Sequence, residues 1–329
     1  MKKIALIVDK DNWAFYNIAT NIKKYLSYKY EITIYVREYT ENIVSLIFCL
    51  QKYDLIHFFW RGDLDLFDNE FVKEYLNYSG IEYKTFYKKY ISHLNITTSV
   101  YDHLFLEPEN IDFTQKIISR SKNYTVCSAK LFNIYNKFDK KPTAVITDGV
   151  DVDMFKNIKK RKNEIFTIGW VGNSNWGKDY YEDAKGVNTI LKPAIKIVKN
   201  RGYKIKEYFA DSSKKYIPKT KMPKYYEKID LLVCTSIFEG TPNPVLEAMA
   251  CGIPIITTDV GIVNEVFGDL QKQYILKERS SLLLAEAIEK MIKDKEMRKN
   301  LSNENKTRIK LWDWENITKK FDIFFEKNL

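Results

Sequence analysis

Two glutamates separated by seven residues offer the clearest chemistry in this sequence. Glu239 and Glu247 lie in the stretch FEGTPNPVLEAMACGIPIITTDVGIVNE, residues 238–265, between two apolar runs typical of buried strands. Ionised carboxylates accept hydrogen bonds from hydroxyl pairs such as those of ribose or a hexose. The pattern therefore indicates a site that binds a sugar nucleotide, although Glu247 considered alone could simply favour a helix dipole.

Local signals between the two strands predict a short helix over residues 244–251. Asn243 is a favoured N-cap, Pro244 suits the first helical position, and Gly252 ends the helix. The loop before this helix follows the carboxyl end of a strand, which is where open α/β sheets bind ligands. The N–H groups at such a helix N-terminus favour an anionic ligand.

The elements that must position this stretch follow an alternating order of strands and helices. In the first half of the chain, the strand-like runs are IALIV, YEITIYV, LIHFFW, ITTSVYD, YTVCS and TAVITDG, with helical patterns over 13–28 and 41–52. In the second half they are IFTIGWVG, IKEYFAD, DLLVCTS and GIPIITT, with the helical patterns GVNTILKPAIKIVKN and MPKYYEKI. This order predicts two doubly wound α/β lobes with parallel sheets rather than one closed barrel.

Composition suggests where the domains divide. The charged segment 155–164, FKNIKKRKNE, lacks apolar periodicity and is typical of a linker. We therefore expect an N-terminal domain over 1–155 and a C-terminal domain over 162–310. The aromatic tail, 311–329, has the pattern of an amphipathic helix, which could pack on its own lobe or return to the first lobe.

The stretch around the two glutamates resembles the donor-site signature of the retaining family 4 glycosyltransferases, which have the GT-B fold. The motif ITDGVDVDMF, residues 146–155, is similar to a motif near the hinge of that family, and the resemblance covers most of residues 146–329. It implies two Rossmann-like lobes facing across a cleft, with an acceptor-binding N-terminal domain and a donor-binding C-terminal domain. It also implies that the C-terminal helix returns to the N-terminal lobe.

The resemblance assigns roles to single residues of the second lobe. Glu247 would bind the donor ribose, and Glu239 would contact the transferred sugar as a catalytic residue. The backbone that borders this sugar and the phosphates would come from Gly240, Thr241, Pro242 and Asn243.

The family also uses a basic pair after the first strand of this lobe. Lys185 matches its lysine and would be the second catalytic residue, because a departing diphosphate needs a nearby cation. Asn173, directly after Gly172, stands where the family has an arginine, and Lys178 is an alternative cation in this segment. Gly172, Asn173 and Lys178 are thus predicted to bind the donor.

On the acceptor side, the family often has a His-Asp pair after the fourth strand of the first lobe. Here Tyr101 takes the place of that histidine before Asp102, and His103 follows. His103 is the third catalytic candidate, although a lone histidine near a strand end is more often structural. Asp11 and Asn12 stand where the family has a Gly-rich loop and could approach an acceptor hydroxyl.

These features imply a retaining glycosyltransferase of the bacterial surface-polysaccharide type. It would move a sugar from a nucleotide-diphosphate sugar to a glycan or lipid-linked glycan, with no cofactor and no metal. The Asp-x-Asp triplets at 63–65 and 151–153 invite a metal-binding interpretation, but neither directly follows an apolar strand. Two alternatives remain open, a sugar-nucleotide epimerase of the same fold and a non-catalytic basic protein that binds nucleic acid or nucleotides.

Charge and cysteine usage bear on partners and compartment. The formal net charge of +10 favours an anionic partner, and the Lys- and Tyr-rich run 73–94 suits an anionic membrane surface, an RNA-stacking surface or an ordinary helix pair. The four cysteines lack the spacing of a zinc site or a disulfide scaffold, which indicates a reduced, cytoplasmic chain. We expect it at the inner face of the membrane as a peripheral protein, with no nucleic-acid partner.

Overall fold

The computed structural model divides the chain into two compact units. It describes residues 1–40, 42–104, 106–156, 158 and 164–329, so most of the predicted linker at 155–164 lies outside the described residues. Unit 1 comprises Met1–Thr147 and Trp314–Leu329, and unit 2 comprises Asp148–Asp313.

Unit 1 contains a parallel sheet with the strand order β2-β1-β3-β4-β5-β6. Its strands are β1 (Lys2–Val8), β2 (Tyr30–Val36), β3 (Leu55–Phe58), β4 (Ile96–Val100), β5 (Asn123–Val126) and β6 (Ala144–Val145). Ile4 pairs with Ile32 of β2 and with Leu55 of β3. All three side chains are buried, because helices cover both faces of such a sheet.

Three of the six helices that precede β6 in unit 1 begin at a capping side chain. The six helices are α1 (Ala14–Leu26), α2 (Ile43–Leu50), α3 (Glu70–Tyr78), α4 (Tyr83–Tyr90), α5 (Pro108–Ser119) and α6 (Ala129–Tyr135), and the capped ones are α2, α3 and α6. Asn42 accepts a hydrogen bond from the N–H of Val44 at the start of α2, and Asn69 accepts one from Val72 at the start of α3. Each bond satisfies an N–H group that has no partner within its helix.

Unit 2 contains a second parallel sheet with the order β11-β10-β9-β7-β8. Its strands are β7 (Phe166–Gly172), β8 (Ile205–Asp211), β9 (Leu231–Cys234), β10 (Ile255–Thr258) and β11 (Ile275–Leu276). Its helices are α7 (Val152–Lys156), α8 (Lys192–Asn200), α9 (Met222–Tyr226), α10 (Asn243–Ala250), α11 (Val263–Val266), α12 (Asp269–Lys272), α13 (Ser281–Lys293) and α14 (Lys295–Arg308). The order reverses beside β7, which creates a ligand-binding switch point between β7 and β9.

The C-terminal helix α15 (Trp314–Glu326) belongs to unit 1. Lys29 forms an ion pair with Asp322 of this helix at 2.8 Å, and the Asn95 amide donates to the carbonyl of Asn328 at 2.6 Å. The ring of His57, a buried residue of β3, lies against Phe325. The predicted return of the C-terminal helix to the N-terminal lobe is therefore confirmed.

In the part of the chain that the structure describes, no helix combines the length and the apolarity needed to cross a bilayer.

Candidate functional site

Helix α10 starts one residue earlier than predicted. It begins at Asn243, with Pro242 in the N-cap position and no side-chain cap. The predicted N-cap role of Asn243 is wrong because this residue is already the first of the helix, and its amide NH2 group donates to Asp148 Oδ2 at 3.3 Å. Gly252 has a φ of 68° directly after the C-cap, as the predicted helix end requires.

Lys185 and Glu239 meet at the carboxyl end of β9. The Lys185 Nζ atom lies 2.6 Å from Glu239 Oε1, and the Ser236 hydroxyl donates to the same oxygen at 2.7 Å. The two charged side chains are only 14% and 20% exposed. Their attraction is therefore less screened than that of a surface ion pair.

The loop that carries Lys185 is fixed to the end of β9 by its backbone. The Thr235 hydroxyl donates to the carbonyls of Lys185 and Gly186, at 2.9 and 3.1 Å. Arg279 bridges the same two segments, since it donates to the carbonyl of Thr235 at 3.1 Å and to that of Asp183 at 3.0 Å. These bonds fix the backbone from which the Lys185 side chain extends toward Glu239.

Asp183 holds the next turn of this loop. Its carboxylate accepts the N–H groups of Val187, Asn188 and Thr189, at 3.2, 2.7 and 2.8 Å. Burial acts to raise the pKa of Asp183, but these hydrogen bonds outweigh it and leave the pKa below its usual value. The turn leads into a π-helical segment, Val187–Leu191, and then into α8.

Glu247 lies on α10 in a polar cluster that the sequence did not reveal. The Tyr226 hydroxyl donates to Glu247 Oε2 at 2.8 Å. Burial raises the pKa of Glu247, while the nearby Lys219 and this hydrogen bond oppose the rise. Burial lowers the pKa of Lys219, whose charge interacts with those of Glu247, Asp151 and Asp148. The cluster thus holds one cation among three carboxylates.

Asp148, inside the hinge-like motif, also belongs to this cluster. Burial raises its pKa to about 7, although the hydrogen bond from Asn243 and the charge of Lys219 act in the opposite direction. Its backbone N–H donates to Thr241 Oγ1 at 3.3 Å. The only sequence signal for this residue was its place in the motif ITDG, and the motif indicated no contact with α10.

The backbone at Gly240 is approached closely by another loop. Gly261 has a φ of 52°, and a Cβ atom there would lie 2.1 Å from the carbonyl oxygen of Gly240. A side chain at position 261 would therefore displace the segment from Gly240 to Asn243. This glycine was not predicted as part of the site, although the motif TDVG could have indicated it.

The remaining predicted donor residues follow β7. Gly172 ends that strand, and Asn173 Oδ1 accepts the N–H of Asn175 at 2.9 Å, so Asn173 forms a turn. Lys178 lines a cavity of about 370 Å³ together with Lys192 and other residues, on the side of the sheet where α8 begins. Lys185, by contrast, contacts Glu239 at the end of β9.

The acceptor-side candidates all lie in unit 1, near the ends of β1 and β4. Asp102 accepts a hydrogen bond from Arg61 Nη2 at 2.8 Å, and the Tyr101 ring packs against Phe15 with centroids 5.0 Å apart. His103 is half-buried, and burial lowers its pKa although the charge of Asp102 opposes this. Arg61 itself is 3% exposed and was not predicted.

Asp11 and Asn12 follow β1. The Tyr39 hydroxyl donates to Asp11 Oδ2 at 3.3 Å. Asn12 has a φ of 58°, in the left-handed region that asparagine tolerates better than most residues. This strand end therefore carries a sharp turn where the resemblance leads us to expect a Gly-rich loop.

The first Asp-x-Asp triplet lies near the same edge of the sheet. Asp63 Oδ1 lies 3.9 Å from Arg37 Nε. Burial raises the pKa of Asp63 to about 6; the charge of Asp9 adds to this rise, and the charge of Arg37 opposes it. Asp65 pairs instead with Arg120 at 2.9 Å. Among the described residues, no group of three or more His, Cys, Asp or Glu side chains could hold a metal ion.

Residues 196–308 match the family described as glycosyl transferases group 1. This segment contains Glu239 and Glu247, whereas Lys185 precedes it. CapM of Staphylococcus aureus, a capsular polysaccharide biosynthesis glycosyltransferase, is 26% identical over 196 residues, which are 51% of this chain and 49% of CapM. An N-acetylgalactosaminyltransferase of Campylobacter jejuni, acting on a diphospho-undecaprenol-linked sugar by its name, is 30% identical over 91 residues, or 27% of this chain and 25% of that protein. The chain thus spans about half or less of the length of these curated relatives.

Solved structures resemble the whole chain. HepE from Anabaena, in complex with UDP and glucose, has a TM-score of 0.70 at 13% identity. The alignment covers 99% of this chain and 100% of the HepE chain. Sucrose-phosphate synthase from Thermosynechococcus elongatus has a TM-score of 0.69 at 13% identity, with 99% of both chains covered. At this identity the likeness establishes the fold. The predicted GT-B fold, with two Rossmann-like domains built on parallel sheets, is confirmed.

Proposed function

We propose that this chain is a retaining family 4 glycosyltransferase. It transfers a sugar from a nucleotide-diphosphate sugar to a hydroxyl acceptor, in the synthesis of a surface polysaccharide. The 2.6 Å contact between Lys185 and Glu239, one loop before the helix that carries Glu247, is the observation that supports this most directly. Three comparisons support the same proposal. Residues 196–308 match glycosyl transferases group 1, CapM is named for capsular polysaccharide biosynthesis, and HepE was crystallised in complex with UDP-glucose.

The donor binds to unit 2 in this proposal, and different side chains bind its nucleoside and its sugar. Glu247 accepts hydrogen bonds from the ribose hydroxyls, and Glu239 does so from the transferred sugar. The N-terminal end of α10, which carries the positive end of the helix dipole, and the ammonium of Lys185 face the diphosphate. Because the diphosphate gains negative charge as the glycosidic bond breaks, Lys185 stabilises the transition state more than the ground state.

The acceptor hydroxyl attacks the anomeric carbon on the face from which the diphosphate departs, so the anomeric configuration is retained. Lys185 and the positive end of the α10 dipole stabilise the negative charge on the leaving group, and the proposal needs no dedicated metal. Unit 1 binds the acceptor, a glycan or lipid-linked glycan, with Asp11, Asn12 and His103 as candidate contacts.

Incubation of the full chain with a panel of nucleotide sugars tests the proposal. We expect slow hydrolysis of one donor without acceptor, and faster transfer with a glycan acceptor whose product NMR shows the donor's anomeric configuration. A Lys185→Ala variant should lose most of this turnover, while the exposed Lys23→Ala variant keeps it. An inverted product, activity abolished by a chelator, or conversion of the donor to an isomeric nucleotide sugar would each contradict the proposal.

We also propose that unit 1 contacts an anionic membrane surface at the cytoplasmic face. On α3, Phe71, Tyr75 and Tyr78 are 72%, 43% and 96% exposed. Their spacing of four and three residues places them on one side of the helix, while Val72 and Leu76 fill the core on another. Exposed aromatic residues in a stripe suit the interfacial region of a bilayer.

Neighbouring elements extend this aromatic surface. Ile81 and Tyr87 are each 41% exposed. Phe48 of α2 is 49% exposed and packs against Tyr90 with ring centroids 5.0 Å apart, so it adjoins α4. Exposed lysines on α4, such as Lys88, add attraction to anionic lipids.

Sedimentation with vesicles tests the membrane contact. The chain should bind vesicles of phosphatidylglycerol and phosphatidylcholine, and bind pure phosphatidylcholine less. A Phe71→Ser and Tyr78→Ser double variant should lose most of this binding, whereas Tyr180→Ser in unit 2, which removes an aromatic ring 76% exposed, should not. Equal binding of both variants, or equally strong binding to single-stranded RNA, would contradict the assignment.

A further inference from the structure

The segment between β7 and α8 has a structure that the family resemblance does not explain. It lies outside the matched residues 196–308, and Asn173 stands where the resemblance leads us to expect an arginine. Asn173 accepts two hydrogen bonds, from the N–H of Asn175 at its side chain and from the N–H of Trp176 at its carbonyl, at 2.9 and 3.1 Å. This position therefore builds a tight turn that presents Trp176.

The far end of the segment is anchored beside the loop that carries Glu239. The N–H of Ile237 donates to the carbonyl of Ala184 at 2.9 Å, and the rings of Tyr181 and Phe238 lie with centroids 5.1 Å apart. Gly177 has a φ of 74°, which lets the chain reverse directly after Trp176. The turn is thus held against the strand end where the candidate catalytic residues meet.

The indole of Trp176 borders the ion pair at this strand end. Lys185 Nζ lies 4.7 Å from the ring centre and 2.6 Å from Glu239 Oε1. These two distances place the ring centre no more than about 7 Å from the carboxylate oxygen. The indole is half-buried, so part of its surface remains exposed beside a carboxylate and an ammonium.

A pyranose ring matches this combination of groups. Its C–H groups form an apolar face that packs on an aromatic ring, while its hydroxyls bond to charged and polar groups at the edge. We infer that Trp176 is a sugar-binding platform that contacts the pyranose of the donor and not its nucleotide. This inference rests on the proposed function, because it takes the site of Glu239 to be the site of the transferred sugar.

A different role for Trp176 would be to hold Lys185 in place by a cation–π contact alone. In that case its loss would disturb whatever Lys185 binds, including the diphosphate. The two roles therefore differ in their effect on a nucleoside diphosphate that carries no sugar.

Calorimetric titration of the full chain separates these roles. The probes are UDP, GDP and ADP, each paired with its glucose conjugate, and the pair that binds the wild type is used for the variants. We expect Trp176→Ala to weaken binding of the nucleotide sugar about tenfold and to leave binding of the free nucleoside diphosphate within about twofold. Trp176→Phe, which keeps an aromatic face, should restore most of the affinity. Tyr180→Ala, in the same segment and 76% exposed, is the matched control and should change neither affinity.

Circular dichroism and thermal unfolding of each variant show whether its fold is kept, and Trp176→Leu, which is apolar but has no aromatic face, replaces the alanine variant in the same two titrations if that variant is unstable. Equal weakening of both ligands would overturn the inference in favour of a role through Lys185. An unchanged affinity for the nucleotide sugar in Trp176→Ala would overturn it as well. If the wild type binds none of the nucleotides, the proposed function fails first and the inference falls with it.

Discussion

The Lys185 ammonium lies 2.6 Å from the Glu239 carboxylate, although 54 positions separate the two residues in the chain. One comes from the loop after β7 and the other from the loop after β9. These strands are neighbours in the sheet, so parallel pairing brings both loops to the same edge. The relationship places a cation and an anion together where an α/β sheet binds ligands.

This pair leads to a prediction about turnover. Glu239→Gln keeps the shape of the side chain but removes its charge, so it should lower turnover at least about tenfold while nucleotide affinity stays nearly constant. Initial rates and calorimetric titration measure the two effects. Glu265→Gln, which removes the charge of the last glutamate in the stretch 238–265, is the control. A parallel loss of affinity and turnover would show that Glu239 acts mainly in binding.

Glu247 should act in the opposite manner. Its carboxylate accepts a hydrogen bond from Tyr226 and would accept others from ribose, and each charge-assisted bond contributes about 1.5 to 3 kcal/mol. Glu247→Ala should therefore weaken binding of the free nucleoside diphosphate at least tenfold, and Tyr226→Phe should weaken it less, because Tyr226 only positions the carboxylate. Titration with the nucleotide measures both. Unchanged affinity in a folded Glu247→Ala protein would assign the residue to structure.

Two glycines allow a matched test of the loop that carries Lys185. Gly186 and Gly80 have nearly the same positive φ, 67° and 70°. A Cβ atom at Gly186 would lie 2.5 Å from the carbonyl oxygen of Thr235, whereas at Gly80 it would meet no atom within 4 Å. In both alanine variants the left-handed conformation should lower the free energy of unfolding by about 1 to 2 kcal/mol. Only Gly186→Ala should lower it further, because of the close contact with Thr235. Urea unfolding measures the difference, and equal losses would show that the loop adapts.

Asp63 should make stability depend on pH. Burial raises the pKa of Asp63 to about 6 in the folded state, so folding is more favourable when its carboxyl group is protonated. The wild type should therefore lose stability relative to Asp63→Asn as the pH rises from about 4 through about 6, by roughly 1 to 3 kcal/mol, and the difference should stay constant above about pH 7. Urea unfolding of both proteins at pH 4, 5, 6, 7 and 8 measures this difference. Glu70→Gln, at a side chain 81% exposed, should show no such trend.

The order of elements could be predicted because it depends on local patterns. Runs such as IALIV become strands since their side chains are buried on both faces of a parallel sheet. The observed strand β1, Lys2–Val8, begins two residues before this run and ends at the same residue. The helix near Glu247 was predicted to within one residue from proline and glycine signals. Its N-cap was not, because the helix begins one residue earlier, at Asn243, whose amide bonds to Asp148, 95 positions earlier in the chain.

The sequence by itself thus determined the two α/β repeats and the spacing of Glu239 and Glu247, since both depend on neighbours along the chain. Only the tertiary structure decided which side chains surround them. Tyr226 and Lys219 reach Glu247 from other elements, and the turn at Asn173 brings Trp176 over Lys185. Such contacts depend on strand order and loop packing rather than on periodicity, so no local pattern in the chain specifies them.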